Sequence, residues 1–178
     1  ALEGAEAVLG VHLSSAFDTG VFAGRCGVLT SNVDRFTIDV TGRGGHCAFP
    51  EQCADPLLAA SEIVLSLQSI VSRRVPAVEP AVVSVCEFHA GTAYNIIPSG
   101  ARLSGSVRSF GEATRRLIER EARLICERVA QAHGCTARLN WIEGYPGVVN
   151  DGKLTDYAER TIADRFGAER FRHIGVIM

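Results

Sequence analysis

Residues 5 to 13 (Ala5, Glu6, Ala7, Val8, Leu9, Gly10, Val11, His12, Leu13) form a nearly continuous apolar run. That is the pattern of a strand buried on both faces of an α/β sheet, with its polar residues at the end where such sheets put their ligands. From Asn32 the pattern switches to alternation. Phe36, Ile38 and Val40 interleave with Arg35, Thr37, Asp39 and Thr41, which predicts a strand with one wet face. Gly42-Arg43-Gly44-Gly45 breaks the alternation as a flexible loop. Asp55-Pro56 supplies an N-cap and a first-turn proline for a helix to about Arg74, with apolar positions Leu57, Ala60, Val64, Leu67 and Val71; Pro76 and Pro80 end it.

The second half repeats the alternation. Residues 81 to 89 predict a strand with Val83 and Val85 on one face, and 91 to 100 a connection. Residues 101 to 110 predict another strand, in which Leu103, Gly105 and Val107 alternate with Arg102, Ser104, Ser106 and Arg108. A helix over 112 to 133 turns Leu117, Leu124, Ile125 and Val129 to one side, with Glu121 at the solvent edge and Gly134 as its C′ residue. Glu112–Arg116 and Glu119–Arg123 are favourable i,i+4 pairs. Residues 136 to 143 predict a fourth strand. Asn150-Asp151 then caps a further helix (Leu154, Tyr157, Ala158, Ile162, Phe166), and a new strand starts at Phe171.

From 32 to 143 the order is β-α-β-β-α-β, the ferredoxin-like split arrangement with two helices on one face of an antiparallel four-stranded sheet. The expected fold class is therefore α/β in the broad sense (α+β), one complete small domain inserted between two fragments of an α/β domain. The expected boundaries are 1–29, 30–144 and 145–178. The opening at Ala1, without an initiator methionine or signal segment, and the stop at Met178 inside an expected strand suggest an internal piece of a longer protein.

Composition narrows the function. Of 178 residues 47% are hydrophobic and 21% charged, the balance of a chain with a real core. The net charge of −2 leaves no basic field for nucleic acid or an anionic membrane. An RNA-binding sheet is further excluded because the wet strand faces carry Arg, Thr, Ser and Asp where stacking rings would be required. No apolar stretch is long enough to span a bilayer. Six cysteines without CxxC spacing predict reduced thiols and a cytoplasmic location.

Among the residues that could carry chemistry, His12 alone has the pattern of a core histidine satisfied by a hydrogen bond, since nothing near it in sequence completes a metal site. His46 follows the glycine-rich turn, either as an exposed histidine on a mobile tip or as a donor presented to a partner site, in the manner of an oxyanion stabiliser. Arg108 follows the small residues Ser104, Gly105 and Ser106, which leave room for a ligand. With the Asn95 amide it suits a carboxylate, which Arg binds bidentately; the plain alternative is a solvated charge. The arginines of the second helix (Arg115, Arg116, Arg120, Arg123, Arg128) alternate with Glu and predict a solvated face.

These motifs, in this order, resemble a family. Val11-His12, Gly42-Arg43-Gly44-Gly45-His46-Cys47-Ala48-Phe49-Pro50, Asp55-Pro56, Ser69-Ile70-Val71-Ser72-Arg73, Phe88-His89-Ala90-Gly91-Thr92-Ala93-Tyr94-Asn95-Ile96-Ile97-Pro98 and Gly105-Ser106-Val107-Arg108-Ser109-Phe110 carry a resemblance that covers nearly the whole chain. They resemble the metal-dependent amidohydrolases that include hippurate hydrolase, N-acyl-L-amino acid amidohydrolase and indole-acetyl-amino acid hydrolase, relatives of the aminoacylases and carboxypeptidases. The resemblance implies that 30–144 is a lid or dimerisation domain inserted in an incomplete zinc-peptidase-like catalytic domain. It implies a metal-ligand role for His12, and a catalytic role for His46 at the scissile carbonyl, in many relatives that of the neighbouring subunit. Asn95 and Arg108 are implied to hold the substrate carboxylate, beside a loop shaped by Gly91 and Thr92.

The implied cofactors are two divalent ions per complete catalytic domain (zinc, manganese, cobalt or nickel), and the implied partners are an N-acyl amino acid and a second copy of the chain. The family's remaining metal ligands and its general-base Glu are absent from this sequence, as is the Trp-Pro that many members carry after the first histidine. This chain alone is therefore expected to be inactive. The alternative is a stand-alone ferredoxin-like amino-acid-binding or dimerisation module without catalysis.

Overall fold

The computed structural model describes residues 3–178; Ala1 and Leu2, the first two of the expected 1–29 segment, lie outside the described residues. In chain order the elements are β1 (Phe22–Gly24), β2 (Gly27–Val28), β3 (Asn32–Thr41), β4 (Gly45–His46), α1 (Pro56–Arg73), β5 (Ala81–Ala90), β6 (Ile96–Ile97), β7 (Gly100–Ser109), α2 (Glu112–Ala132), β8 (Thr136–Ile142), β9 (Val149–Asn150), α3 (Gly152–Phe166) and β10 (Phe171–His173). The chain divides into two compact units: Ser31–Gly147, and the residues up to Thr30 together with Val148–Ile177. Among the described residues no helix is long and apolar enough to cross a membrane.

In the unit Ser31–Gly147 the sheet order is β5-β7-β3-β8, every neighbouring pair antiparallel. That is the order a β-α-β-β-α-β chain adopts in a ferredoxin-like fold. Alternation along β3 buries Asn32, Asp34, Phe36, Ile38 and Val40 and leaves Val33, Arg35, Asp39 and Thr41 outside or partly so. The core joins Ile38, Val40, Leu103 and Val107 of the sheet to Ala59, Ile63, Leu67 and Ile70 of α1 and Ile118, Ala122, Cys126 and Ala130 of α2. Alanines at 59, 60, 122 and 130 let the helices lie close to the sheet and to each other. Asp55 caps α1 by accepting from Leu57 N–H at 2.8 Å. At the end of α2, Gly134 N–H donates to the Gln131 carbonyl (3.0 Å) and Cys135 N–H to that of Ala130 (2.8 Å), the paired bonds of a Schellman motif.

Both helices are rotated from the expected faces. The buried stripe of α1 is Pro56, Ala59, Ala60, Ile63, Leu67 and Ile70, while Leu57 and Val71 are exposed. Ile63 and Ile70 fit a sheet face better than the expected residues, because they lie in line with Ala59 and Leu67 at three- and four-residue steps. On α2 the stripe is Thr114, Arg115, Ile118, Ala122, Cys126 and Ala130; Leu117, Ile125 and Val129 flank it, and Leu124 is exposed. Burial pushes the Cys126 thiol up to about 12 and raises that of Cys135 as well.

Arg115 overturns the expectation of a wholly solvated arginine face. It lies buried in the first turn of α2, with Nη2 donating to Asp34 Oδ1 at 2.6 Å and Nε to Oδ2 at 2.8 Å. Its other bonds go to Glu143 Oε1 (3.0 Å) and the Gly144 carbonyl (3.1 Å), while Gly144 N–H donates back to Asp34 Oδ1 at 2.9 Å. Its side-chain hydrogen bond to Asp34 raises the Arg115 pKa despite burial. Nearby, Asn32 Oδ1 accepts from Gly147 N–H at 2.8 Å. The expected surface pairs do form, Arg116–Glu112 at 2.6 Å and Arg123–Glu119 at 2.8 Å.

In the other unit β1 pairs parallel with β10, and β2 antiparallel with β9. Asp151 caps α3 by accepting from Leu154 N–H at 3.0 Å, and Phe166 packs on Phe22 with ring centroids 5.4 Å apart. The strand expected over 5 to 13 is not formed. Those residues are irregular, with Val8 64% and Leu13 90% exposed. A strand buried on both faces needs a hydrogen-bonded neighbour and a cover for each face, and among the described residues nothing pairs with this segment. The strand expected from Phe171 is short: after β10, Ile174 N–H donates to the Gly24 carbonyl at 3.2 Å, and among the described residues the next pairing is at Ile177, which bridges to Thr30.

Candidate functional site

His46 is placed by two loops that cross. β4 pairs antiparallel with β6, setting His46 opposite Ile96 and Gly45 opposite Ile97. Cys47 N–H donates to the Asn95 carbonyl at 3.1 Å, and Gly42 N–H to that of Ser99 at 2.9 Å. Arg43 and Ala54 exchange two backbone bonds, each 2.9 Å. The expected mobile tip is thus a pinned one, and its glycines are there for close approach. A Cβ on Gly42 would stand 2.1 Å from Ala54 O, and one on Gly44 2.4 Å from Ile97 O. Sequence alone shows a glycine's freedom but not the neighbour that requires it.

The imidazole of His46 is exposed, tilted 55° to the Phe49 ring at 5.9 Å. Ala48 N–H donates to His46 Nδ1 at 3.1 Å. A backbone N–H can only donate, so Nδ1 is the acceptor and the neutral ring carries its proton on Nε2. His46 therefore presents Nε2–H as a hydrogen-bond donor.

Asn95 is half-buried, and its amide has no partner among the described protein groups. Gly91, with φ +75°, and exposed Thr92 belong to the same loop. They line an open depression of about 500 Å³ together with Cys47, Asp55, Tyr94 and Ile96. His46, Asn95, Gly91 and Thr92 thus share one end of the unit.

Arg108 does not join them. It stands near the far end of β7, eight strand positions beyond Gly100, or about 26 Å at an extended rise. The expected clamp of Asn95 beside Arg108 is not formed within the chain, because β7 runs between them. Arg108 is half-buried between Val33 of β3 and Val82 of β5. Its Nη1 donates to Ser106 Oγ at 2.6 Å and to the Val107 carbonyl at 3.1 Å. Ser106 had the pattern of mere space; its position two residues before Arg108, on the same strand face, is the signal that the two touch. The signal for Arg115 is its place three residues before Ile118 and seven before Ala122, on the same helix face.

His12 is exposed and irregular, with Nδ1 2.5 Å from the Leu13 carbonyl. The expected core histidine, satisfied on a buried strand, is not formed, because the strand that would bury it is absent. A carbonyl only accepts, so Nδ1 carries the proton and the Nε2 lone pair is left open, the state in which imidazole ligates a metal. One ligand is not a site. Among the described residues no three His, Cys, Asp or Glu side chains converge on a metal position, Cys47 and Cys53 beside His46 included. Elsewhere, His133 Nε2 meets Glu62 at 2.6 Å and His173 Nε2 meets Glu159 at 3.2 Å, both surface pairs.

Comparison with known proteins gives this geometry a family. The peptidase dimerisation domain family matches residues 28–134. Among curated relatives, the chain is 36% identical over 162 residues to the N-acetylcysteine deacetylase of Bacillus subtilis, covering 91% of the chain and 43% of the relative. It is 39% identical over 149 residues to the hippurate hydrolase of Campylobacter jejuni, covering 83% and 39%. The chain thus spans less than half the length of these relatives. Among solved structures, a Bacillus subtilis YXEP protein described as a dinuclear metal binding peptidase matches with TM-score 0.70 and 30% identity over 93% of this chain and 40% of that one. The chain belongs to the M20 family of amidohydrolases and peptidases, and residues 28–134 are its peptidase dimerisation domain.

Proposed function

We propose that this chain is the lid-bearing segment (1–29, 30–144 and 145–178) of a metal-dependent amidohydrolase that cleaves the amide bond of hippurate-like N-acyl amino acids, releasing a free amino acid and a carboxylic acid. The names of the relatives (hippurate hydrolase, N-acetylcysteine deacetylase) share that logic: an acyl group amide-linked to an amino acid. The observation that carries the proposal is His46, held through Nδ1 by Ala48 N–H so that Nε2–H is its donor. That is the form required to stabilise the oxyanion of a tetrahedral intermediate. His12 would supply one ligand through Nε2 to divalent ions whose other ligands lie outside this segment. Such ions, when bound, would supply activation of the attacking water. Gly91 and Thr92 shape the loop beside Asn95, and free thiols at all six cysteines support a cytoplasmic location.

Asn95 and Arg108 both suit the substrate carboxylate, yet about 26 Å of β7 separates the ends on which they stand. A shared carboxylate therefore takes them from different copies. His46 and Asn95 come from one subunit, and Arg108 from the other. Edge strand β5, with Phe88, and the exposed Leu58 and Leu65 of α1 offer the surface for that homodimer.

The test is complementation in the full-length enzyme that carries this segment, at subsaturating N-acyl amino acid. His46→Ala should lower kcat by roughly 100-fold or more, and Arg108→Ala should raise KM. Mixed as subunits, the two variants should regain roughly a quarter of the wild-type activity, the share of intact composite sites in a randomly mixed two-fold dimer. No regain would place both residues in one subunit's site and reject the arrangement. An unaltered kcat in His46→Ala would reject the catalytic role itself.

A further inference from the structure

Arg108 is tethered on one nitrogen only. Both protons of Nη1 are taken, by Ser106 Oγ at 2.6 Å and the Val107 carbonyl at 3.1 Å. Ser106 donates its own hydroxyl proton to the Asp34 carbonyl at 3.2 Å, on the neighbouring strand. The direction of this relay is fixed, because a carbonyl only accepts and a guanidinium only donates. Ser106 Oγ is thereby turned to receive Arg108. Val33 and Val82 flank the arginine in the two adjoining strands. Nε and Nη2 have no protein partner among the described residues, and together they form the fork that takes a carboxylate in two parallel bonds.

We infer that Ser106 is a positioning residue for Arg108: it holds the guanidinium by Nη1 and leaves the Nε–Nη2 edge to the substrate carboxylate, so that it sets the preference for N-acyl amino acids with a free carboxylate over their amides. The inference rests on Arg108 as the carboxylate anchor. An untethered arginine side chain must lose its rotamer freedom on binding, and a tethered one has lost most of it beforehand.

The test compares wild type, Ser106→Ala, Ser106→Thr and Arg108→Ala in the full-length enzyme, with an N-acyl amino acid and the corresponding amide as substrates. Ser106→Ala should raise KM for the carboxylate about tenfold, the worth of one hydrogen bond to a charged group, with kcat retained. The preference over the amide should shrink by the same factor. Ser106→Thr, which keeps the hydroxyl, should stay close to wild type.

If Arg108→Ala raises KM while Ser106→Ala does not, the positioning role is overturned and the anchor stands. If Arg108→Ala leaves KM unaltered, the anchor falls and the inference with it. Ser106→Thr as impaired as Ser106→Ala also overturns the positioning role, since the hydroxyl would not be what matters. On the 178-residue chain, nitrogen-15 exchange spectroscopy should find faster rotation about the Arg108 Cζ–Nη1 bond in Ser106→Ala; unchanged rotation rejects the tether.

Discussion

Arg115 keeps its charge in the interior because each of its nitrogens is met: Nε and Nη2 by Asp34, Nη1 by Glu143, and Nη2 also by the Gly144 carbonyl. Such a pair adds little net stability over an apolar replacement, but breaking it strands a buried charge. Arg115→Ala should therefore cost roughly 3–5 kcal/mol, read as the midpoint of denaturant unfolding. Adding Asp34→Asn to an Arg115→Met background should return part of that loss, since the amide oxygen can still accept from Gly144 N–H. A cost for Arg115→Ala within the range of an exposed arginine would show that the pair is not the anchor its geometry implies. Composition hid this residue. Five arginines interleaved with glutamates read as a solvated face, and four of them are exposed, while the fifth sits at the right spacing to join the core stripe. His46 was legible as a type of residue after a glycine run, but its tautomer depends on Ala48 N–H, which no sequence pattern announces.

At the scale of elements, the strands of the ferredoxin-like unit were legible because one face is wet and the other dry, so a period of two fixes both strand and register. The helices were legible in extent, through Asp55 and Gly134, but not in rotation, because α1 is apolar on more than one side. The run from 5 to 13 was illegible for a different reason: an apolar segment specifies a strand only when partners exist to pair with it. Cys126, in the middle of α2, gives this scale its test. Its folded-state pKa is raised above the unfolded value near 9 to about 12. The unfolded chain therefore gives up this proton first as pH rises. Stability is unaffected by this group below pH 9 and falls by about 1.4 kcal/mol per unit between 9 and 12. Wild type should lose thermal stability from pH 8 to pH 10 more steeply than Cys126→Ala, even though the alanine variant starts lower because of its cavity. Parallel curves would mean the thiol titrates alike in both states.

For the whole molecule, the proposed homodimer has a candidate surface. β5 ends the sheet with an unpaired edge, and on α1, which packs beside it, Leu58 and Leu65 lie seven residues apart with Leu65 72% exposed. Leu65→Glu should turn a dimer into a monomer in light scattering; a persistent dimer would move the interface to another face. The bond between Asn32 and Gly147 carries a consequence of another kind, for the route by which the chain folds. The β1–β10 and β2–β9 pairings join segments that lie on either side of Ser31–Gly147. Closing a disordered loop of roughly 120 residues would cost about 4 kcal/mol in chain entropy before either pairing formed. Once the ferredoxin-like unit has folded, its two ends are held together, and the outer segments meet as if joined by a turn. The inserted domain is therefore expected to fold first and bring the terminal segments together, so that a mutation confined to its core should also unravel strands that contain none of the mutated residues.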